Sequence, residues 1–356
     1  MNRKHFLTTF LTASAGVALT QKGFAAPQKP VEPVINTAIP PFLKQGDVIG
    51  ITCPAGPVDK SSLDQLIAAQ EKWGISFKLG STVGKRWQRY GGTDEERLTD
   101  LQKMLDDDTV NAIVFGRGGY GTMRIIDKVN WDGFKRKPKW LVGFSDLTTI
   151  HSHIHQTTGI ATIHGCMSTS IDDDDNNIAS ASLSDALFGL PINYNIKSHS
   201  LNRAGVCNGK LVGGNLSILQ ACAGSKSDID TKNKILFIED VSEYKYTIDR
   251  MLTNLKRSGK LESLAGLMLG GFTATKADDD YFYDDTVENI IWDKVKEYDY
   301  PVCFNFPAGH IRNNHALKMG VSYNLNVGKS VVSLTETGFK PNPMEIKKIY
   351  EEKIVF

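Results

Sequence analysis

Apolar positions come in short runs that alternate with longer stretches of helical spacing. "GDVIGITCPAGP" reads as a buried strand running into a Gly/Pro loop. "SSLDQLIAAQEKWG" then repeats its apolar residues at helical intervals, with serine at its start and glycine at its stop. "ISFKLG" is a short strand, and "GTDEERLTDLQKMLDDD" a helix with Thr93 as N-cap and acids in its first turn. "VNAIVFGRGGYGTMRIID" reads as strand, glycine loop and helix; "KWLVGFSDLTTIHSHIHQTTG" as strand, turn and helix; "IATIHG" as a further strand. This alternation predicts βαβ units around a mostly parallel sheet. Ligands of such sheets bind at the carboxyl ends of the strands, where both the "GRGGYG" loop and Ser145 fall.

The texture changes in the second half. Residues 189–208 lack a clean period and read as a crossover. Beyond them, "NKILFIED" and "LAGLMLGGF" are buried strands, "YTIDRMLTNLKRSG" and "DDTVENIIWDKVKEY" are helices, and "PVCFNFPAGH" is a strand into a loop. "VSYNLNVGKSVVSLTET" alternates as antiparallel strands do about a turn. The expected fold is α/β: a domain with a mostly parallel sheet over 42–190, a crossover over 191–208 and a β-rich α/β domain over 209–356.

The first residues obey different rules. Arg3 and Lys4 precede an apolar, small-residue run from Phe6 to Thr20, and small residues cluster at Gly23, Ala25 and Ala26. This is the layout of a secretory signal over 1–26, followed by a proline-rich lead-in over 27–41. The run is too short and Thr-rich for a membrane span. "NRKHFLT" resembles a twin-arginine signal with Lys4 in place of the second arginine, so the Tat and Sec routes both stay open. The chain is expected to be exported, into the periplasm.

Composition narrows the function by exclusion. The 356 residues carry a formal charge of +1 and show no basic patch interleaved with aromatics, which argues against nucleic acid as a partner. The five cysteines, Cys53, Cys166, Cys207, Cys222 and Cys303, show neither a disulfide framework nor zinc-ligand spacing and read as buried thiols. "SIDDDDNNIAS" lacks the ligand order of a calcium loop. In "HSHIH", His151 and His155 share a helix face and His153 does not, and no H-E-x-x-H signature is present.

Three features carry chemistry. Ser145 ends a strand and opens a helix, so it is either a nucleophile flanked by free N–H groups or a helix N-cap. Four glycines surround Arg117 and Tyr120 in "FGRGGYG"; the loop lacks the Lys-Ser/Thr of a P-loop and suits an oxyanion or a carboxylate as well as a phosphate. Glu239 and Asp240 end a buried strand, either facing solvent or orienting a histidine, and His310 in "PAGHIRNNHALKMG" is the better base candidate. A Ser…Glu…His set therefore exists in that order, split between the domains.

"GDVIGITCPAGP", "FGRGGYGTMRIID", "LVGFSDLTTI", "IHGCM", "GKLVGGNLSIL", "LFIEDVSEYKYTIDRML" and "AGHIRNNHALKMG" together resemble the LD-carboxypeptidases. This serine peptidase family also contains the microcin C immunity peptidases. The resemblance spans roughly residues 42–350. It implies Ser145 as nucleophile, His310 as general base and Glu239 as its orienting carboxylate, with the N–H groups of Gly119 and Asp146 as the oxyanion hole. It further implies a Rossmann-like N-terminal domain with the active site in the cleft between it and the β-rich domain, a muropeptide substrate losing its terminal D-alanine, no metal or other cofactor, and a homodimer. Cys166 stands where the family commonly has proline, and the apparent signal departs from members that act in the cytoplasm. Two alternatives remain: a peptidase of acyl-adenylate antibiotics, with Trp131, Trp140 or Trp292 as stacking candidates, and a periplasmic ligand-binding protein with no chemistry.

Overall fold

The computed structural model describes residues 37–174, 176–276 and 285–338. The expected signal over 1–26 and residues 27–36 of the lead-in lie outside them. Two sheets organise the chain. The first has six strands in the order Leu317–Met319, Thr162–His164, Trp140–Gly143, Ala112–Phe115, Val48–Thr52 and Ser76–Leu79. All its pairings are parallel except that of the edge strand Leu317–Met319. The second has seven, in the order Val302–Cys303, Gly266–Thr273, Ile235–Val241, Gly205–Asn215, Ser322–Val327, Val331–Glu336 and Asn193–Lys197. Its first four strands pair in parallel and its last three antiparallel. The fold is the mixed α/β architecture expected.

Alternation along the strands explains the packing. Ile113, Phe115 and Leu141 face one side of the first sheet, against Leu101 and Leu105 of the helix Asp94–Asp106 and Ile150 and Ile154 of the helix Thr148–Thr157. Ala112, Val114, Trp140 and Val142 face the other side and share one apolar cluster with Phe237, Met268, Leu325 and Leu334 of the second sheet. The outer face of that second sheet, with Leu236, Ile238 and Leu269, is covered by the helices Lys245–Arg257 and Val287–Val295. Strands covered on both faces must be apolar throughout, which is why they read as continuous hydrophobic runs.

Local signals act as their chemistry dictates. Thr93 caps its helix in a full capping box with Glu96, and Gly74 ends the helix Gln65–Trp73 in the left-handed conformation. Two expectations differ from the structure. The glycine loop leads not into an α-helix but into two 3-10 turns, Thr122–Arg124 and Ile126–Lys128; Asp146 binds the Thr122 N–H and Arg97 the Gly121 carbonyl at the start of the first. The crossover over 191–208 contains the edge strand Asn193–Lys197, whose every second residue is exposed; with only one partner strand it needs little apolar surface and so shows little pattern.

The halves are also joined by charge. Lys318 Nζ, fully buried, donates to Glu336 Oε2 at 3.0 Å and to the Leu190 carbonyl at 3.1 Å, while Ile192 N donates to the same carboxylate at 3.0 Å. Burial pulls the Lys318 ammonium below its ordinary range, against the pull of Glu336. Removing one partner strands the other charge in the interior. Lys318→Met should therefore cost about 3–5 kcal/mol in urea unfolding, and adding Glu336→Gln should recover much of it. A single variant as stable as the parent would show that the pair contributes nothing.

Candidate active site

The strand Trp140–Gly143 ends at Phe144, and the chain turns sharply at Ser145 into a 3-10 turn and the helix Thr148–Thr157. Ser145 has φ 64°, a left-handed conformation that a non-glycine residue adopts only when its surroundings impose it. The Ser145 side chain makes no cap hydrogen bond to the helix; its partner is His310. The hydroxyl is therefore not a helix cap.

His310 Nε2 lies 3.1 Å from Ser145 Oγ, and His310 Nδ1 lies 2.6 Å from Glu239 Oε2. An ionised carboxylate can only accept, so Nδ1 carries the proton and Nε2 is left to accept from the serine hydroxyl. The His310 amide also donates to Glu239 Oε2, at 3.2 Å. Glu239 is wholly buried, whereas 19% of the His310 side chain is exposed, so the set opens to solvent only at its serine end. Phe144 packs edge-on to the imidazole with centroids 4.8 Å apart, and His164 lies between Phe144 and Phe237. Burial drives His164 well below its ordinary pKa, so its ring is neutral.

The loop around His310 is fastened from several sides. Gly309 N donates to Asn314 Oδ1 at 2.8 Å, Thr273 Oγ1 donates to the His310 carbonyl at 3.0 Å, and Gly271 N donates to the Ala308 carbonyl at 2.9 Å. Gly309, at φ 103°, lies so close to Glu239 that any Cβ would come within 2.7 Å of the carboxylate. A side chain there would drive Glu239 and His310 apart.

The glycine loop covers the serine. A Cβ on Gly118 would lie 2.7 Å from Ser145 Cβ and 3.6 Å from the Asp146 nitrogen, so only glycine allows this approach. Gly119 follows with φ 122° and rests against Gly56. The loop is moored by the Asp146 side chain, whereas the expected role of this residue is confined to its backbone N–H: its Oδ2 accepts from Thr122 N at 2.9 Å in a fully buried setting. Burial raises the Asp146 carboxyl above its ordinary range, partly offset by this bond. The adjacency of Ser145 and Asp146 was the available signal; the bond across 24 residues was not visible.

A second route joins the halves behind the serine, and nothing in the sequence announced it. Asn215 N donates to Thr148 Oγ1 at 3.0 Å, and Asn215 Nδ2 donates to Asp240 Oδ1 at 3.0 Å. Asp240 also accepts from Ser217 N and Val241 N. Of the two acids that end the strand Ile235–Val241, Glu239 meets the histidine and Asp240 secures this link.

The remaining candidates are structural. His151 and His155 both reach Thr162 Oγ1, at 2.8 and 3.1 Å, and burial lowers them to about 4 and about 3; His153 meets Ser227 instead. Among the described residues no cluster of three or more His, Cys, Asp or Glu could hold a metal ion. All five cysteines are free thiols. Trp131 and Trp140 are buried, and Trp292 lies under Arg203. No helix among the described residues is long and apolar enough to cross a membrane.

A two-sheet α/β fold with a serine, a histidine and a carboxylate in hydrogen-bonded series is the frame of a hydrolase. Residues 49–165 match the LD-carboxypeptidase N-terminal domain, and residues 208–325 match the LD-carboxypeptidase C-terminal domain. The chain is 35% identical over 297 residues to the probable murein peptide carboxypeptidase of Bacillus subtilis (strain 168), covering 82% of this chain and 92% of that one. The crystal structure of muramoyltetrapeptide carboxypeptidase from Oxalobacter formigenes superposes with a TM-score of 0.74 at 26% identity, over 83% of this chain and all of that one. The microcin C7 self immunity protein MccF shares the fold, with a TM-score of 0.75 at 20% identity over 85% of this chain and all of that one. The chain belongs to the LD-carboxypeptidase family, and it is a carboxypeptidase.

Two predictions follow from the supports of the site. Asp146→Ala leaves the buried Thr122 N–H without an acceptor, at a cost of about 1–3 kcal/mol; amide exchange at Thr122 should accelerate, and Asp146→Asn, which keeps an acceptor, should restore protection. Unchanged exchange in the alanine variant would rule out the mooring. Asp240 is raised to about 6, chiefly by burial, with Glu239 adding to the shift and the bonds from Val241, Asn215 and Ser217 opposing it. Its folded value lies above its unfolded one. The stability contributed by holding the proton is therefore complete below about pH 4 and lost as pH rises through about 6. Chemical denaturation from pH 4 to 7 should show this decline, and Asp240→Asn should flatten it.

Proposed function

We propose that this chain is a serine LD-carboxypeptidase that removes the C-terminal D-alanine from murein tetrapeptides. The observation that carries the reading is the series Ser145 Oγ, His310 Nε2 and Nδ1, Glu239 Oε2, with contacts of 3.1 and 2.6 Å. In this mechanism Ser145 Oγ attacks the scissile carbonyl while His310 Nε2 takes its proton, and Glu239 steadies the imidazolium. The N–H groups of Asp146 and Gly119 receive the oxyanion. The tetrahedral adduct collapses, the C–N bond breaks, and His310 returns the proton to the departing D-alanine amine. Water, activated by the same histidine, then cleaves the acyl-enzyme.

The names of the relatives support a murein peptide as substrate. The basic and then apolar N-terminus supports export, which would bring the enzyme to muropeptides in the periplasm. We read the working form as a homodimer, in keeping with the family resemblance.

The test is mass spectrometry of a purified murein tetrapeptide incubated with the mature protein. The expected result is loss of one alanine with the wild type. Ser145→Ala should lower kcat by about 10⁴-fold or more. A folded wild type that leaves the peptide intact would refute the substrate and turn attention to acyl-adenylates; near-full activity in Ser145→Ala would refute the nucleophile.

A further inference from the structure

We propose that Arg117 holds the α-carboxylate of the substrate's C-terminal residue and so makes the enzyme select a chain end. The proposal rests on the carboxypeptidase reading above. A peptidase confined to the last bond needs a cation near the reacting centre, because the free carboxylate lies one residue beyond the scissile amide, about 3.8 Å of chain.

Three arginines border the glycine loop, and two of them are committed. Arg97 is buried and donates to the carbonyls of Gly92, Pro54 and Gly121 as well as to Asp94. Arg124 is paired with the same Asp94, at 2.8–3.0 Å. Asp94 is held below its ordinary range, first by Arg124 and then by Arg97, so it stays charged and satisfies both. Arg117 is exposed and, among the described residues, has neither an ion pair nor a hydrogen bond to its side chain.

Its position is set by the residues on either side of it in space. Gly118, the next residue, is the one packed against Ser145. The Arg117 stem crosses Gly56, where a Cβ would lie 3.5 Å from both Cδ and Nε. Gly56 N donates to the Gly118 carbonyl at 3.1 Å, which ties the two loops together. The planar fork of a guanidinium suits a carboxylate bidentately.

The experiment uses Ser145→Ala protein, which cannot turn over, and compares a synthetic murein tetrapeptide ending in D-alanine with the same peptide ending in D-alaninamide. By calorimetry the acid should bind about 10- to 100-fold more tightly than the amide. Adding Arg117→Gln should abolish that preference while leaving amide affinity as it was, and Arg117→Lys should restore part of it. Arg312, two residues from His310 and likewise unpaired among the described residues, is the comparator. The proposal is overturned if the acid and amide bind alike, if Arg117→Gln keeps the preference, or if Arg312→Gln removes it instead. A wild type that releases no D-alanine would sink the activity reading separately, because the binding comparison needs no turnover.

Discussion

A carboxylate shut away from water, with no lysine or arginine bonded to it among the described residues, sets the terms for the rest of this molecule. Glu239 is fully buried, and the donors to it are the amide and the ring nitrogen of His310. An ionised group in that position is tolerable only while those donors stay in place. The pairing therefore locks the imidazole in one tautomer and one orientation, and any movement of the histidine loop away from the strand Ile235–Val241 is costly. Gly309 and the bonds from Thr273, Asn314 and Gly271 keep the loop where the carboxylate needs it.

The serine comes from the other sheet, so its distance from His310 depends on how the two sheets pack. A single apolar cluster takes side chains from both, which makes the packing between them a continuous interior rather than a hinge. Polar links reinforce it at two depths. Lys318 and Glu336 join the halves deep in the core, and Thr148, Asn215 and Asp240 join them just behind the turn at Ser145. Because the second route starts three residues from Ser145 and ends beside Glu239, the serine and the glutamate are braced against each other from behind as well as through His310.

Backbone strain falls at the turn that presents the serine. Ser145 is held at positive φ, and the side chain that follows it reaches up to moor the glycine loop that covers it. That one dipeptide thus presents a hydroxyl, offers a backbone N–H and secures the opposite wall. Gly118 can touch the serine only because it has no side chain, which leaves Arg117 before it free to reach beyond the loop.

Much of this was legible in the sequence. Alternating strand and helix periods marked the Rossmann-like half, Thr93 and Glu96 marked a helix start, and the ends of two buried strands marked Ser145 and Glu239 as site candidates. Such features are local: they depend on side-chain spacing, capping and turn chemistry within a few residues. The helix expected after the glycine loop is instead a pair of 3-10 turns, and the strand Asn193–Lys197 was hidden because an exposed edge needs no apolar pattern. The meeting of Ser145 with His310 across 165 positions, the division of labour between Glu239 and Asp240, and the mooring of the loop by Asp146 were settled only by tertiary packing. Sequence by itself determined which groups were available and where each would stand on its strand or turn. Which of them touch was decided by burial, because a shared interior brings distant strand ends together.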